Sequence, residues 1–124
     1  MMRYAMVALG GALGALARFQ VATMIQARVA AGFPWGTFWV NVSGCLVMGI
    51  ATTLLTERLV VNPQWRYLIP IGFIGAYTTF STFELELFRA NTEGAWLIGG
   101  AYLIGSVVAG YVALWLGMHL ARIV

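Results

Sequence analysis

Residues 72–86 read GFIGAYTTFSTFELE, and they lie in the third of four apolar segments of the chain. A membrane-spanning helix is usually plain and apolar, but here four of the six residues in 78–83 are serine or threonine. Because hydrocarbon cannot hydrogen-bond free backbone groups, polar or irregular sequence at membrane depth is stable only inside protein or along a wet path. The stretch therefore predicts a polar path within a membrane-embedded helical fold.

The composition of the whole chain supports a membrane location. Of 124 residues, 61% are hydrophobic and only 9% are charged, and the mean hydropathy is +0.87. A spanning helix needs about 20 mostly apolar residues. Four segments have that length, at about 4–27, 36–56, 67–88 and 95–118. The connections are too short for a soluble domain, so we predict one all-α integral membrane domain over residues 1–124, surrounded by membrane lipid.

The third segment is predicted to contain a break. Pro70, Gly72 and Gly75 precede the hydroxyl-rich run, and proline and glycine are common at sharp helix kinks. A break would free backbone carbonyl oxygens, such as those of Gly75 and Thr78, from helical hydrogen bonds. Such oxygens can bind a bare cation or face water, and the sequence leaves both interpretations open.

The basic residues of the chain are seven arginines, which are scattered and form no patch with aromatic residues. The net charge of +3 therefore does not indicate a nucleic-acid partner. With four spans, four arginines near the segment ends would lie on the side of the termini and two on the other side. This small bias allows insertion in both orientations. Since four short helices make a thin bundle, we predict an antiparallel homodimer of oppositely oriented chains.

Small residues at intervals of four predict close helix packing. Gly10 and Gly14 form such a pair in the first segment, and the fourth segment carries a longer ladder from Ala101 to Gly117. Glycine and alanine at this spacing allow two helix backbones to approach closely in a membrane.

Three polar or charged residues within the segments need an explanation. Asn41 is either a contact between helices or a ligand that offers amide hydrogens to a small anion, since a lone amide in hydrocarbon must be hydrogen-bonded. Arg18 either extends to the interface, attracts anions at a pore mouth, or pairs with Glu86. The sequence does not decide between these interpretations.

Phe80 and Phe83 are three residues apart, so a helix places them on one face beside the hydroxyl groups. An aromatic ring has a positive edge, which can attract an anion without a mobile counter-charge. Ring edges, hydroxyls and an amide would bind a small anion weakly enough to release it, as conduction requires. Tyr102 and Ser106, one turn apart on the fourth segment, can continue this track. The alternative is that the two phenylalanines are ordinary core or lipid-facing residues.

Over nearly its whole length, the chain strongly resembles the Fluc (CrcB) family of fluoride channels. The resemblance rests on GGALGALAR at 10–18, WGTFWVN at 35–41 and GFIGAYTTFSTFELE at 72–86. It implies dual-topology, antiparallel homodimers of four-helix subunits in a bacterial inner membrane, with two fluoride pores in each dimer. It also implies a structural sodium ion on the two-fold axis, at a broken third helix.

The resemblance also implies roles for individual residues. By matching motif, the residues that line the fluoride pore are Asn41, Phe80, Ser81, Thr82, Phe83, Tyr102 and Ser106. Gly75 and Thr78 resemble the residues whose carbonyl oxygens hold the sodium ion. Arg18 resembles the arginine that ends the first-helix motif, and Glu86 resembles the acidic residue after TTFSTF. We expect these two residues to lie at the pore mouth or to form a structural pair.

One position departs from the family pattern. Many members of the family carry a second glycine after the residue that matches Gly75, whereas this chain has Ala76 followed by Tyr77. The difference lies directly beside the predicted sodium ligands.

The function implied by the resemblance is a passive, fluoride-selective channel that exports fluoride from the cytoplasm, with no cofactor besides sodium. The main alternative is a small four-helix, proton-coupled multidrug transporter, which needs a carboxylate within the membrane. The centres of the first three segments contain none. A purely structural subunit would leave the hydroxyls and paired phenylalanines unexplained. An intramembrane enzyme is disfavoured, because Ser81 has no adjacent histidine or lysine to act as a base.

Overall fold

The computed structural model describes residues 1–29, 32–58 and 62–123, and every regular element within those ranges is helical. The helices are α1 (Met2–Gln26), α2 (Trp35–Thr53), α3 (Gly75–Tyr77), α4 (Phe80–Thr92) and α5 (Trp96–Ile123). Two π-helical segments join them. The first, Leu54–Arg58, extends α2, and the second, Tyr67–Ile74, leads into α3.

Three helices are long and apolar enough to cross a membrane. They are Met2–Gln26, Trp35–Glu57 and Trp96–Ile123. These helices correspond to the first, second and fourth predicted spans, and the last one continues beyond the predicted end at residue 118. The predicted third span over 67–88, and the single domain over the whole chain, stay predictions.

The third apolar segment differs from the other three in its backbone conformation. α3 ends at Tyr77, and Thr78 turns the chain into an extended conformation with a ψ angle of 156°. Thr79 is also extended, with φ and ψ of −147° and 124°. α4 then begins at Phe80, and Oγ1 of Thr79 accepts a 3.3 Å hydrogen bond from the amide of Thr82. Threonine suits this position because its hydroxyl satisfies one of the free amides in the first turn of a helix.

The connection between α1 and α2 is held by the side chain of Gln26. Its Nε2 donates a 3.4 Å hydrogen bond to the carbonyl oxygen of Phe33, and its Oε1 accepts one of 3.1 Å from the amide of Gly36. The second of these bonds satisfies a free amide at the N-terminus of α2. The start of α2 is therefore fixed relative to the end of α1.

Glycines allow the helices to pack with their backbones in contact. A Cβ on Gly14 would overlap the carbonyl oxygen of Phe73, and a Cβ on Gly10 would overlap that of Leu68. α2 and α5 meet in the same way, since a Cβ on Gly117 would overlap the backbone of α2. The predicted close packing at Gly10 and Gly14 is confirmed, and it joins two segments of the same chain.

Replacement of Gly14 by alanine is expected to destabilise the protein by about 1–3 kcal/mol, because the added methyl group forces α1 and Phe73 apart. Gly11→Ala is the matched control. Nothing lies within 4 Å of a Cβ at Gly11, and alanine stabilises a helix by up to about 1 kcal/mol relative to glycine. Unfolding in denaturing detergent, followed by circular dichroism, measures both variants. Equal stability of the two variants would contradict this packing.

The largest fully buried side chains of the described chain are Tyr102, Ile74, Val40 and Thr53. Many large apolar side chains are instead exposed, including Leu16 on α1 and Val107 on α5. In a membrane such side chains lie against lipid and need no cover from the protein. Polar groups inside the bundle are therefore the better guide to a functional site.

Candidate functional site

Asn41 on α2 holds the extended part of the third segment. Its Oδ1 accepts a 2.8 Å hydrogen bond from the amide of Thr79, and its Nδ2 donates one of 3.0 Å to the carbonyl oxygen of the same residue. Both backbone groups of a residue outside the helices are thereby satisfied. Because a carboxamide has two donor hydrogens, one N–H of Asn41 stays outside the described hydrogen bonds. Asn41 thus makes a contact between segments, and one of its donor hydrogens has no partner among the described residues.

α2 is also in close contact with Tyr77 and Thr78. A Cβ on Gly44, one turn after Asn41, would overlap Cγ2 of Thr78 and lie 3.2 Å from Cδ1 of Tyr77. Oγ of Ser43 lies 3.0 Å from the hydroxyl oxygen of Tyr77. Asparagine, serine and glycine on one helix therefore position the end of α3 and the start of α4.

Four backbone carbonyl oxygens, at the end of α3 and in the first extended residue, lack hydrogen-bond donors among the described residues. Within the described part of the chain, no hydrogen bond ends on the carbonyl oxygens of residues 75–78. The amide of Thr79, which would continue the helix, is bonded to Asn41 instead. Oxygen ligands are those that hard cations prefer. The carbonyl oxygens of Gly75 and Thr78 are therefore available to a cation such as sodium.

Phe80 and Phe83 lie at the start of α4, and their ring centroids are 6.0 Å apart. Phe80 is 73% exposed, whereas Phe83 is only 5% exposed. Phe83 also packs against Tyr102 of α5, with ring centroids 4.9 Å apart. The pair therefore has one ring on the surface of the chain and one in the interior, where it joins α4 to α5.

A cavity of about 400 Å³ lies beside the two phenylalanines, and Asn41, Thr79 and Ser106 also line it. The hydroxyl oxygen of Ser106 is buried and has no hydrogen-bond partner among the described residues. A buried hydroxyl without a partner destabilises a protein by about 1–3 kcal/mol, so a polar ligand within reach would be favoured. Four of the residues predicted to line a pore, Asn41, Phe80, Phe83 and Ser106, meet at this cavity.

The carboxylate of Glu86 accepts hydrogen bonds from two neutral groups. Thr37 donates its hydroxyl to Oε1 at 2.8 Å, and Tyr102 donates its hydroxyl to Oε2 at 2.8 Å. The pairing of Glu86 with Arg18, one of the interpretations that the sequence left open, is not among the described contacts of Glu86. Among the described side chains, the ion pair joins two other residues, Arg122 and Glu57, at 3.1 Å. Hydroxyl donors replace the arginine because α2 and α5, which carry them, flank the carboxylate.

Thr37 is a site residue that the sequence analysis missed. It is buried, with 6% of its surface exposed, and it contacts Glu86 across the bundle. One signal was present in the sequence. Thr37 precedes Asn41 by four residues in WGTFWVN, so both lie on the same face of α2.

Arg18 lines a second cavity, which has a volume of about 280 Å³. Three threonines from different helices, Thr23, Thr37 and Thr82, line it as well. One guanidinium with several hydroxyls is a set of groups that can attract an anion. Ser81, by contrast, is exposed beside Phe80 and lines neither cavity.

The chain matches the family described as CrcB-like protein, Camphor Resistance (CrcB), over residues 5–118. A protein of Solibacter usitatus is 54% identical over 121 residues, which are 98% of this chain and 99% of that protein. A protein of Acidobacterium capsulatum is 51% identical over 117 residues, 94% of each chain. A protein of Nitratidesulfovibrio vulgaris is 40% identical over 124 residues, 100% of each chain. All three are named fluoride-specific ion channel FluC.

The name of these relatives describes ion channels, which are not enzymes. The match over residues 5–118 and the three apolar helices together identify the chain as a multi-pass, bacterial inner-membrane protein of the CrcB family.

Proposed function

We propose that the chain forms a passive, fluoride-selective ion channel, through which fluoride leaves the cytoplasm down its electrochemical gradient. The names of relatives that are up to 54% identical support this proposal. The observation within the chain that carries it is the buried, unpartnered hydroxyl of Ser106. Ser106 lines one cavity together with Asn41 and the rings of Phe80 and Phe83.

This cavity suits a small, hard anion. The hydroxyl of Ser106 and the remaining N–H of Asn41 are neutral donors, and the phenylalanine rings can present their positive edges. No arginine is among the described residues that line the cavity. A fixed cation there would hold an anion too tightly, whereas conduction requires binding weak enough for release. Several weak contacts in series therefore favour passage over retention.

The proposed pore extends from this cavity along the other predicted residues. Tyr102 packs on Phe83 and would carry the path past α5, while Thr82 lines the second cavity. Exposed Ser81 would add a hydroxyl at the surface of α4. Arg18, in the second cavity, would raise the local anion concentration at the pore mouth, because a positive charge at an opening attracts anions from solution.

The working unit in this proposal is an antiparallel, dual-topology homodimer. Residues 67–88 would form one interrupted span, so each chain would cross the membrane four times. Support comes from Phe80, whose ring is 73% exposed although it borders the cavity. A second copy that covered this ring would complete the wall of the path, and membrane lipid would cover the remaining apolar surface.

A structural sodium ion on the dimer axis is also part of the proposal. Gly75 and Thr78 would hold it with their carbonyl oxygens, and the lack of donors to those oxygens in the described chain supports the fit. The positive charge of a bound ion would offset the mutual repulsion of converging carbonyl dipoles. No organic cofactor is required.

A passive pore suffices for export because the membrane potential drives the anion outward. An interior that is negative by 100 mV favours the exit of one negative charge by about 2.3 kcal/mol. Fluoride enters cells as neutral HF and ionises at the higher internal pH, so a pore for the anion removes what diffusion brings in.

Liposomes that contain the purified protein and potassium fluoride test the proposed function. We expect fast fluoride efflux, measured with a fluoride electrode, once valinomycin allows potassium to leave. Chloride-loaded vesicles serve as the selectivity control and are expected to show negligible efflux. Absence of fluoride efflux from folded protein would contradict the proposal. In that case proton-coupled uptake of an organic cation, as a small multidrug transporter would show, is the next measurement.

A further inference from the structure

Tyr77 is the last residue of α3, and it has a specific polar partner on α2. Its hydroxyl oxygen lies 3.0 Å from Oγ of Ser43, and the Ser43 hydroxyl also lies 3.2 Å from the carbonyl oxygen of Val40. A serine hydroxyl has one hydrogen, and a carbonyl oxygen only accepts. Both contacts are satisfied when Ser43 donates to Val40 and Tyr77 donates to Ser43. The geometry therefore gives the Tyr77 hydroxyl the role of donor.

The ring of Tyr77 also has specific contacts. It stacks on the ring of Phe73, with centroids 6.0 Å apart and planes within 7° of parallel. The ring also reaches α2, where a Cβ on Gly44 would lie 3.2 Å from its Cδ1 atom. The side chain of Tyr77 thus connects α3 to α2 through both its ring and its hydroxyl.

α2 consequently holds the chain on both sides of Thr78. Ser43 bonds the side chain of Tyr77 just before it, and Asn41 bonds both backbone groups of Thr79 just after it. The carbonyl oxygens without described donors, those of residues 75–78, lie between or next to these two attachments. Oxygen ligands that are fixed in advance bind an ion more tightly than mobile ones, because less freedom is lost on binding.

We propose that Tyr77 is a positioning residue for cation binding, and that its hydrogen bond to Ser43 sets the direction of the carbonyl oxygens in 75–78. The inference rests on the proposed sodium site, and it assigns a specific purpose to Tyr77, which directly follows Ala76, the position at which the chain departs from the family's glycine pattern. The Tyr77 ring itself does not touch the ion in this arrangement. Its hydroxyl tunes the affinity of the backbone ligands for a monovalent cation.

Thermal unfolding of the detergent-solubilised protein, measured at a series of sodium chloride concentrations, tests this role. Choline chloride keeps the ionic strength constant. We expect sodium to raise the unfolding midpoint of the wild type. Tyr77→Phe keeps the ring and removes the donor. In this variant, the sodium concentration that gives half of the rise in the unfolding midpoint is expected to increase about fivefold, which corresponds to the loss of one hydrogen bond.

Two further variants separate positioning from general stability. Ser43→Ala is expected to raise the half-effect sodium concentration as much as Tyr77→Phe does. The double variant is expected to raise it no further, because both substitutions remove the same hydrogen bond. Tyr111→Phe is the matched control, since Tyr111 is 70% exposed on α5. The inference would be overturned if the variants unfolded at a lower midpoint at every sodium concentration while the half-effect concentration stayed unchanged. The contact between Tyr77 and Ser43 would then be merely structural.

The same preparation distinguishes this inference from the proposed function. If sodium has no effect on the wild type while fluoride efflux persists, the cation role of Tyr77 is wrong and the channel proposal stands. If the half-effect concentration shifts as expected but no fluoride passes, the positioning role stands and the channel proposal falls.

Discussion

Asn41→Ala is expected to reduce fluoride efflux about 100-fold or more and to destabilise the protein by about 2–4 kcal/mol. The carboxamide makes both hydrogen bonds to the backbone of Thr79, and a buried backbone group left without a partner costs about 1–3 kcal/mol. Loss of this attachment also moves the start of α4, which carries Phe80 and Phe83. A displacement of about 1 Å at a functional site can reduce a rate by about two orders of magnitude.

Two variants sharpen the measurement on Asn41. Asn41→Asp keeps the acceptor for the amide of Thr79 but replaces the donor to its carbonyl oxygen with a negative charge, so efflux is expected to fall while the α-helical content is retained. Asn62→Ala is the control, because Asn62 is exposed in the loop before the third segment. Efflux from vesicles and unfolding in denaturing detergent report the two effects separately. Near-normal efflux in Asn41→Ala would show that conduction does not require the hydrogen bonds between Asn41 and Thr79.

Phe83→Ile and Phe80→Ile are each expected to reduce fluoride efflux about tenfold while the proposed dimer stays intact. Isoleucine keeps apolar bulk but lacks the positive ring edge. Between two aromatic rings, the same charge distribution contributes about 0.5–1.5 kcal/mol, and we expect a similar contribution to an anion. The upper value corresponds to about a tenfold change in rate. Phe83 is buried against Tyr102, so its replacement is also expected to destabilise the fold by about 1–3 kcal/mol. Phe80 is largely exposed within its own chain, and its replacement should leave the folding stability of that chain nearly unchanged.

Phe88→Ile is the matched control for these two variants. Phe88 lies two turns after Phe80 on the same helix and is 65% exposed, close to the exposure of Phe80. If Phe80 were an ordinary lipid-facing residue, both exposed replacements would have the same small effect on efflux. Elution volume in detergent reports the assembly state. Wild-type efflux in both Phe80→Ile and Phe83→Ile would contradict the role of ring edges in conduction.

The spacing of apolar residues was sufficient to predict three spans and the close packing at Gly10 and Gly14. Hydrophobicity over about 20 residues and small residues at intervals of four are local properties, and the membrane converts them directly into helices and helix contacts. Free carbonyl oxygens near Gly75 and Thr78 were expected on a different ground, since proline and glycine weaken a helix wherever they stand.

The partners of the polar side chains, by contrast, could not be predicted from local sequence. Asn41 bonds Thr79 at a separation of 38 residues, and Thr37 bonds Glu86 at a separation of 49 residues. Which donor reaches a carboxylate inside the bundle depends on how helices far apart in the chain cross, so the sequence could not decide between Arg18 and the hydroxyls of Thr37 and Tyr102 as partners of Glu86. Hydrophobic pattern determines where each segment runs, and only the crossing of the segments determines which polar groups meet.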